Sequence, residues 1–304
     1  MAKQVDSLVE VEGPDRVHYK TGVLLNADDF IAEQNYHRGR LARALACVNG
    51  SGTLAGLQVL HEAEQAATDE IPAKPERIVI EPGIAIDRLG RLIEVPSRLC
   101  VRINHWYEQQ DATELSQSWN AAGALWDDAV SGVVVDVFIR FAACERGKTP
   151  VFACGPFDAI DAVTAARLRD AYETELLLRK EAEPGEPVSP WADLDGVAES
   201  ERPEQLRNAI FAAWEKQQSN NDDTQTGDDR PNTLKPLPEH AAGQDTTSLM
   251  LARMIIPADE AVAGSRPQRR LDESLQIRND LRPFVITSNA LARLLGFNIN
   301  QVAE

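Results

Sequence analysis

From Phe30 onward the chain alternates in a helical rhythm. Phe30, His37, Leu41, Ala44, Leu45 and Val48 recur at the spacing of one helix face. Asn26 stands just before Ala27, Asp28 and Asp29, so a capping oxygen and first-turn acids meet the exposed amides of a helix start. Arg38, Arg40 and Arg43 fall toward the other end, where the helix dipole favours positive charge. Asn49-Gly50-Ser51-Gly52 then stops the pattern, because Asn and Gly tolerate left-handed backbone angles. The spacing predicts a helix over about 27–48. Residues 1–25 read as extended, with VHYKTGVLL as a strand or a docked arm.

Beyond residue 52 the rhythm shortens to that of strands. TLAGLQVL is short and apolar, and RIVIEP, GIAID, RLIEVP and LCVRIN follow with turn residues between them. This spacing suits an antiparallel meander or a small sandwich. Residues 104–130 are polar, carry Trp106, Trp119 and Trp126, and predict one or two short helices. SGVVVDVFIRFAAC is the strongest strand, and its β-branched content predicts a central position. After Pro150, FDAIDAVTAARLRD reads as helical, and AYETELLLRK alternates as a strand. A further helix is expected near 203–217, with Leu206, Ile210, Phe211 and Trp214 on one face. Residues 218–247 are polar and read as a linker, or as a loop ordered only by a partner. SLMLARMIIP restores a strand, and RPFVITSNALARLLGF closes with a strand and a short helix.

The fold class expected is α+β and strand-rich, with an N-terminal helix and an inserted helical or disordered segment. Residues 1–180 would form the arm, the helix and the main body. Residues 181–247 would be the insertion, and 248–304 would complete the body.

Composition narrows the partners. Among 304 residues, 31 bases face 48 acids, a net charge of −17, which repels phosphate backbones and argues against nucleic acid. No apolar run approaches about 18 residues, so membrane insertion is not expected. Cys47, Cys100, Cys144 and Cys154 form no CxxC pair and read as buried small apolar residues of a reducing compartment. Cys144 and Cys154 are close enough in sequence to bridge a loop.

Candidate chemistry is sparse. There is no P-loop, no GxGxxG and no GxSxG. The five histidines are dispersed, although His18 and His37 would approach if the arm packs on the first helix. Asp28, Asp29 and Glu33 cluster at a helix start, where capping explains them. In EPGIAIDRLGRLIEVP, Asp87 and Gly90 hold the first and fourth places of a type I turn, and Pro82-Gly83 marks a second turn. An acid beside arginines with no nucleophile, histidine or glycine cradle is not a catalytic set. Asp87 and Glu94 would have to stand about 5–10 Å apart to serve a hydrolase. No catalytic, metal or cofactor-binding residue is expected.

Taken in order, these residues resemble a family encoded near contractile phage-tail-like injection systems. The likeness rests on Tyr19, Gly22, Leu24 and Leu25, then Asp29, Phe30, Glu33, Gln34 and Tyr36 on the helix. It continues through Gly50, Gly52, Gly56, Leu57 and Val59, and ends on Pro82, Gly83, Ala85, Asp87 and Gly90. It covers about a third of the chain. Many relatives carry His and Trp in the glycine turn, where this chain has Asn49 and Ser51, and Cys where it has Ala55. The resemblance implies a non-enzymatic structural subunit of a baseplate, fibre network or tail end. Its partners would be other tail or baseplate proteins and copies of itself. It would assemble in the cytoplasm and then form part of a virion or injection particle. The alternative is a module that binds a cell-surface glycan or receptor through Trp106, Tyr107, Trp119 and Trp126.

Overall fold

The computed structural model describes residues 15–67, 72–150, 163–180, 185–188, 194, 196–218, 234–262 and 265–294, with side chains left out for 212–218. The chain is a strand-rich α+β protein built from antiparallel sheets, with a long helix near its N-terminus. Helix α1 (Ala27–Asn49) starts as the sequence predicts. Asn26 accepts from the Asp29 amide at 2.9 Å, and Asp29 accepts from the Asn26 amide at 2.8 Å, a reciprocal capping box. Among the described residues the arm before it joins no sheet, and the Tyr19 hydroxyl donates to Glu33 on α1.

Six short strands follow: β1 (Gly52–Gly56), β2 (Val59–Glu62), β3 (Arg77–Ile80), β4 (Gly83–Ile86), β5 (Leu92–Val95) and β6 (Leu99–Arg102). They pair as two three-stranded sheets, β1-β4-β5 and β2-β3-β6. The stretch TLAGLQVL is therefore two strands rather than one. It breaks at Gly56 and Leu57, with φ of 65° and 57°. Each half pairs with one half of the bent β3–β4 segment, so a single meander turns a corner.

Helices α2 (Ile103–Gln109) and α3 (Ala112–Gln117) lead to β7 (Trp119–Asn120) and the long strand β8 (Gly132–Pro150). Strand β9 (Val163–Leu178) pairs along β8 from Val135↔Leu178 to Pro150↔Val163. The helix expected before AYETELLLRK is absent from 163–170. Those residues are strand, because ladder bonds to β8 override a modest local helix preference. Residues 151–162 of that expectation, including Cys154, lie outside the described residues.

Helix α4 (Arg202–Gln218) follows, and then β10 (Leu249–Asp259) returns to the sheet beside β8, with Arg253 opposite Asp136. Two short strands, β11 (Gln268–Arg269) and β12 (Gln276–Arg278), pair with the other edge of β10. Phe284 bridges to Thr53, and α5 (Ser288–Leu294) closes the described chain.

The core lies between the meander and one face of this sheet. Val133, Val135, Val137 and Ile139 of β8 meet Leu57, Ile78, Ile93 and Ile103 there. The other face carries Asp136 and Phe138, and residues 234–248 cover it. Arg179 donates to the Glu239 carbonyl, and the His240 ring lies 6.1 Å from that of Phe138. Residues 234–247 are thus packed within the chain, where a linker had been expected. The Lys235, Glu239 and Thr246 carbonyls accept from Arg88 and Arg179, and the His240, Asp245 and Thr247 side chains add further bonds. Residues 219–233 lie outside the described residues.

Candidate functional site

Two of the motif residues, Asp87 and Gly90, form the turn between β4 and β5. Asp87 is fully buried. Its carboxylate accepts from the Leu89 amide at 2.9 Å, the Arg91 amide at 2.8 Å and the Arg91 Nε at 2.6 Å. The Gly90 amide donates to the Asp87 carbonyl at 2.9 Å, and the Asp87 amide to the Arg91 carbonyl at 3.0 Å. This is a type I turn with Gly90 in the left-handed region, the arrangement of a three-residue hairpin loop. Burial raises the Asp87 carboxyl above its ordinary value, and the Arg91 charge and hydrogen bonds pull it part of the way back.

The turn is clamped from two sides. On one side α1 lies across it: a Cβ on Gly90 would come 1.7 Å from the Ala42 carbonyl oxygen. Only glycine allows the helix backbone so close. On the other side Arg88 donates to the Lys235 and Thr246 carbonyls at 2.7 and 2.8 Å, and Arg91 reaches Thr247 Oγ1 at 3.0 Å. The Arg91 guanidinium also lies over the Phe141 ring, 4.7 Å from its centre. Asp87 therefore orients an arginine that ties together the hairpin, β8 and the 234–248 cover.

The second convergence is the corner of the meander. A Cβ on Gly56 would stand 2.0 Å from the Pro82 carbonyl oxygen, so the two bends touch backbone to backbone. Gly83 faces the same contact from the other strand, and Gly52 lies against the Pro283 carbonyl. Leu57, a left-handed residue with a Cβ, is held there at a local cost of about 1–2 kcal/mol. Its side chain is wholly buried, and its carbonyl accepts from buried Arg282 at 2.6 Å. Burial pulls Arg282 down to about 10. Gly50 is simpler: it ends α1, its amide donating to the Ala46 carbonyl at 3.0 Å.

The helix residues of the motif behave differently. Asn26 and Asp29 cap, and Glu33 takes the Tyr19 hydroxyl. Tyr36 meets His37 edge-on and lies under Arg40. Phe30 and Gln34 face outward. His18 and His37 do approach, lining one shallow depression with Arg16, Tyr19 and Glu33. Among the described residues no cluster of three or more His, Cys, Asp or Glu could hold a metal ion.

Other expectations change. Cys47 and Cys100 are exposed, not buried, since each sits on an outward face of its element. The aromatic residues do not form a platform. Trp106 and Trp119 pack on the core, and the Trp119 indole donates to the Ala258 carbonyl at 2.9 Å. Tyr107 is buried, with its hydroxyl donating to the Pro267 carbonyl at 3.0 Å and pushed up to about 12 by burial. Trp126 lies under Arg278.

Two buried ion networks escaped the sequence reading. Asp136 accepts from Arg253 Nε at 2.8 Å and Nη2 at 2.9 Å, and from Arg179 Nε. All three are essentially inaccessible. The signal was present: an acid and a base each interrupt an apolar run, VVVDVFI and LMLARMII. The second joins Glu76 to His61 at 2.9 Å and to both terminal nitrogens of Arg269 at 2.9 and 3.0 Å. Burial alone would raise Glu76, but the His61 and Arg269 hydrogen bonds outweigh it and hold the carboxyl at about 2.

No helix among the described residues is long and apolar enough to cross a membrane. Compared with models of known protein families and with curated proteins, the chain matches none.

Proposed function

We propose that this chain is a non-enzymatic structural subunit of a contractile phage tail or phage-like injection particle, acting in its baseplate, fibre network or tail end. It would be made in the cytoplasm and built into the particle through protein–protein contacts. The particle itself is suggested by the sequence resemblance. One structural observation carries the assembly role. Strand β8 is the centre of the sheet as far as Ile139, and then leaves β10 and runs on with β9 alone. Nearly every residue of 145–150 and 163–170 is exposed, on both faces of this two-stranded ribbon.

A ribbon of six paired residues reaches roughly 20 Å from the body. An isolated hairpin of this kind is marginal in water. Its root, however, is buried without a break from Gly132 to Ile139, so the ribbon is anchored in the core. Among the described residues β9 pairs with β8 only. Its free edge offers backbone groups to an added strand of a neighbour. Three of the four buried acids among the described residues speak for the same reading: Asp87, Asp136 and Glu76 are engaged in structural bonds.

The test is pairwise binding of the purified chain to the sheath, tube and baseplate proteins encoded beside it. Binding to at least one, lost when the stretch 145–170 is replaced by a short turn, is expected. A chain that binds none of them and remains monomeric overturns the proposal.

A further inference from the structure

Helix α1 turns its small face inward. Asn35, Gly39, Ala42 and Ala46 look toward the body, and Ala42 is the one fully buried, lying over Gly90. The opposite face carries Phe30, Gln34, His37, Leu41, Ala44 and Val48, and all six are exposed. Their spacing alternates four, three, four, three, four. That is a 3.5-residue repeat, the seam of a two-stranded coiled coil rather than the broader stripe of a core helix. Leu41 is 60% exposed and Val48 81%, so the seam faces solvent along its length.

We infer that a second copy of this chain occupies the seam, with the two α1 helices antiparallel about a two-fold axis. The charges select the copy and the direction. Asp28, Asp29 and Glu33 occupy the first half of α1, and Arg38, Arg40 and Arg43 the second. A parallel pair sets bases against bases and acids against acids. An antiparallel pair sets each acidic half against a basic one, so the helix is its own electrostatic complement.

One register satisfies both chemistry and charge. Phe30 meets Leu41 of the copy, Gln34 meets His37 of the copy, and Glu33 flanks Arg40 of the copy. Phe30 and Leu41 then pair as apolar layers and Ala44 meets Ala27 of the copy, while Val48 lies beyond the paired stretch. The two-fold repeats the polar layer, so the two central layers each set an amide against an imidazole, which can share a hydrogen bond. Such a layer lowers stability but fixes register and orientation. An isolated helix of this length is marginal in water. Here each helix is already formed, by its capping box and its seat on Gly90, so pairing does not have to order it. The inference rests on the assembly reading, since it names one of the contacts through which such a subunit would act.

Sedimentation velocity of the full chain over a concentration series tests it. The chain should reach the mass of a dimer, and Leu41→Asp should return it to a monomer with an unchanged far-UV spectrum. Arg40→Glu should weaken the dimer, and adding Glu33→Arg should restore it. The doubly substituted Phe30→Cys, Leu41→Cys chain should form a disulfide-linked dimer on mild oxidation, at a level that neither single substitution reaches. A chain that stays monomeric throughout, or a dimer that survives Leu41→Asp, overturns the inference. A monomer that still binds a tail protein of its locus removes the coiled coil and leaves the assembly reading standing.

Discussion

Helix α1 and the strand pair β8–β10 are the two most strongly patterned regions of the chain, and they use their apolar residues in opposite ways. In β8–β10 the apolar side chains fill both faces, and the charges among them, Asp136 and Arg253, are buried opposite one another. In α1 the apolar side chains point away from the body, and alanine and glycine make the contact. A buried strand pair earns its place by burial on two faces. A helix seated on a glycine turn needs only a small face to sit close, which leaves its apolar seam available. Hydrophobic periodicity therefore identifies an element, but not the side on which its partner lies.

The comparison breaks most sharply at Asp136. Asp136→Ala leaves two arginines buried without their acid, and should cost about 3–5 kcal/mol in urea unfolding. Replacing Asp136, Arg179 and Arg253 together with Leu, Met and Met should cost far less, because no unpaired charge remains. If the single and triple variants unfold alike, the network does not work as a paired unit.

The next largest effect is set by pH. Glu76 is held at about 2, against an ordinary 4.5, so its contribution is full above about pH 4.5 and is lost as the pH falls through about 2. That window is worth about 3 kcal/mol. Glu76→Gln should flatten the acid limb of a stability-against-pH curve, and an unchanged limb would mean that other carboxylates carry it.

Gly90→Ala tests the seat of the helix. It combines a left-handed backbone with a clash against the Ala42 carbonyl, and should cost more than about 1 kcal/mol. Amide exchange should speed up in α1 well before β8 or β10 responds. Protection of α1 equal to that of the native chain would show that the helix is not held by this contact.

The smallest effect sharpens the contrast. Leu41→Ala should change the stability of the monomer by less than about 0.5 kcal/mol. Leu251→Ala, the same deletion in wholly buried β10, should cost about 2–5 kcal/mol. Thermal or urea unfolding of the two variants at a monomeric concentration compares them directly. Similar losses would place Leu41 in the core and remove the outward seam.

Much of the fold was legible. The α1 start followed from Asn26 and its acids, the meander from short apolar runs between turn residues, and the centrality of β8 from its β-branched content. The 163–170 strand was not, because its alanines and arginines favour a helix slightly and only β8 alongside them reverses that. The break at Gly56–Leu57 was hidden too, since leucine gives no sign of adopting a positive φ. Asp87 and Gly90 were read correctly as a turn from local preference alone. That this turn would also carry α1, β8 and residues 234–248 could not be read locally, because Ala42, Phe141 and Thr247 are distant in sequence.

The sequence by itself determined the elements, the turn chemistry at Asp87-Arg88-Leu89-Gly90, and the presence of an amphipathic helix. These depend on residues within a few positions of one another, where propensity, capping and periodicity act. Only the tertiary structure decided which way that helix faces, which acids meet which arginines, and that β8 outruns its sheet as a ribbon. Those outcomes depend on long-range contacts, and a local pattern carries no information about what stands across the core.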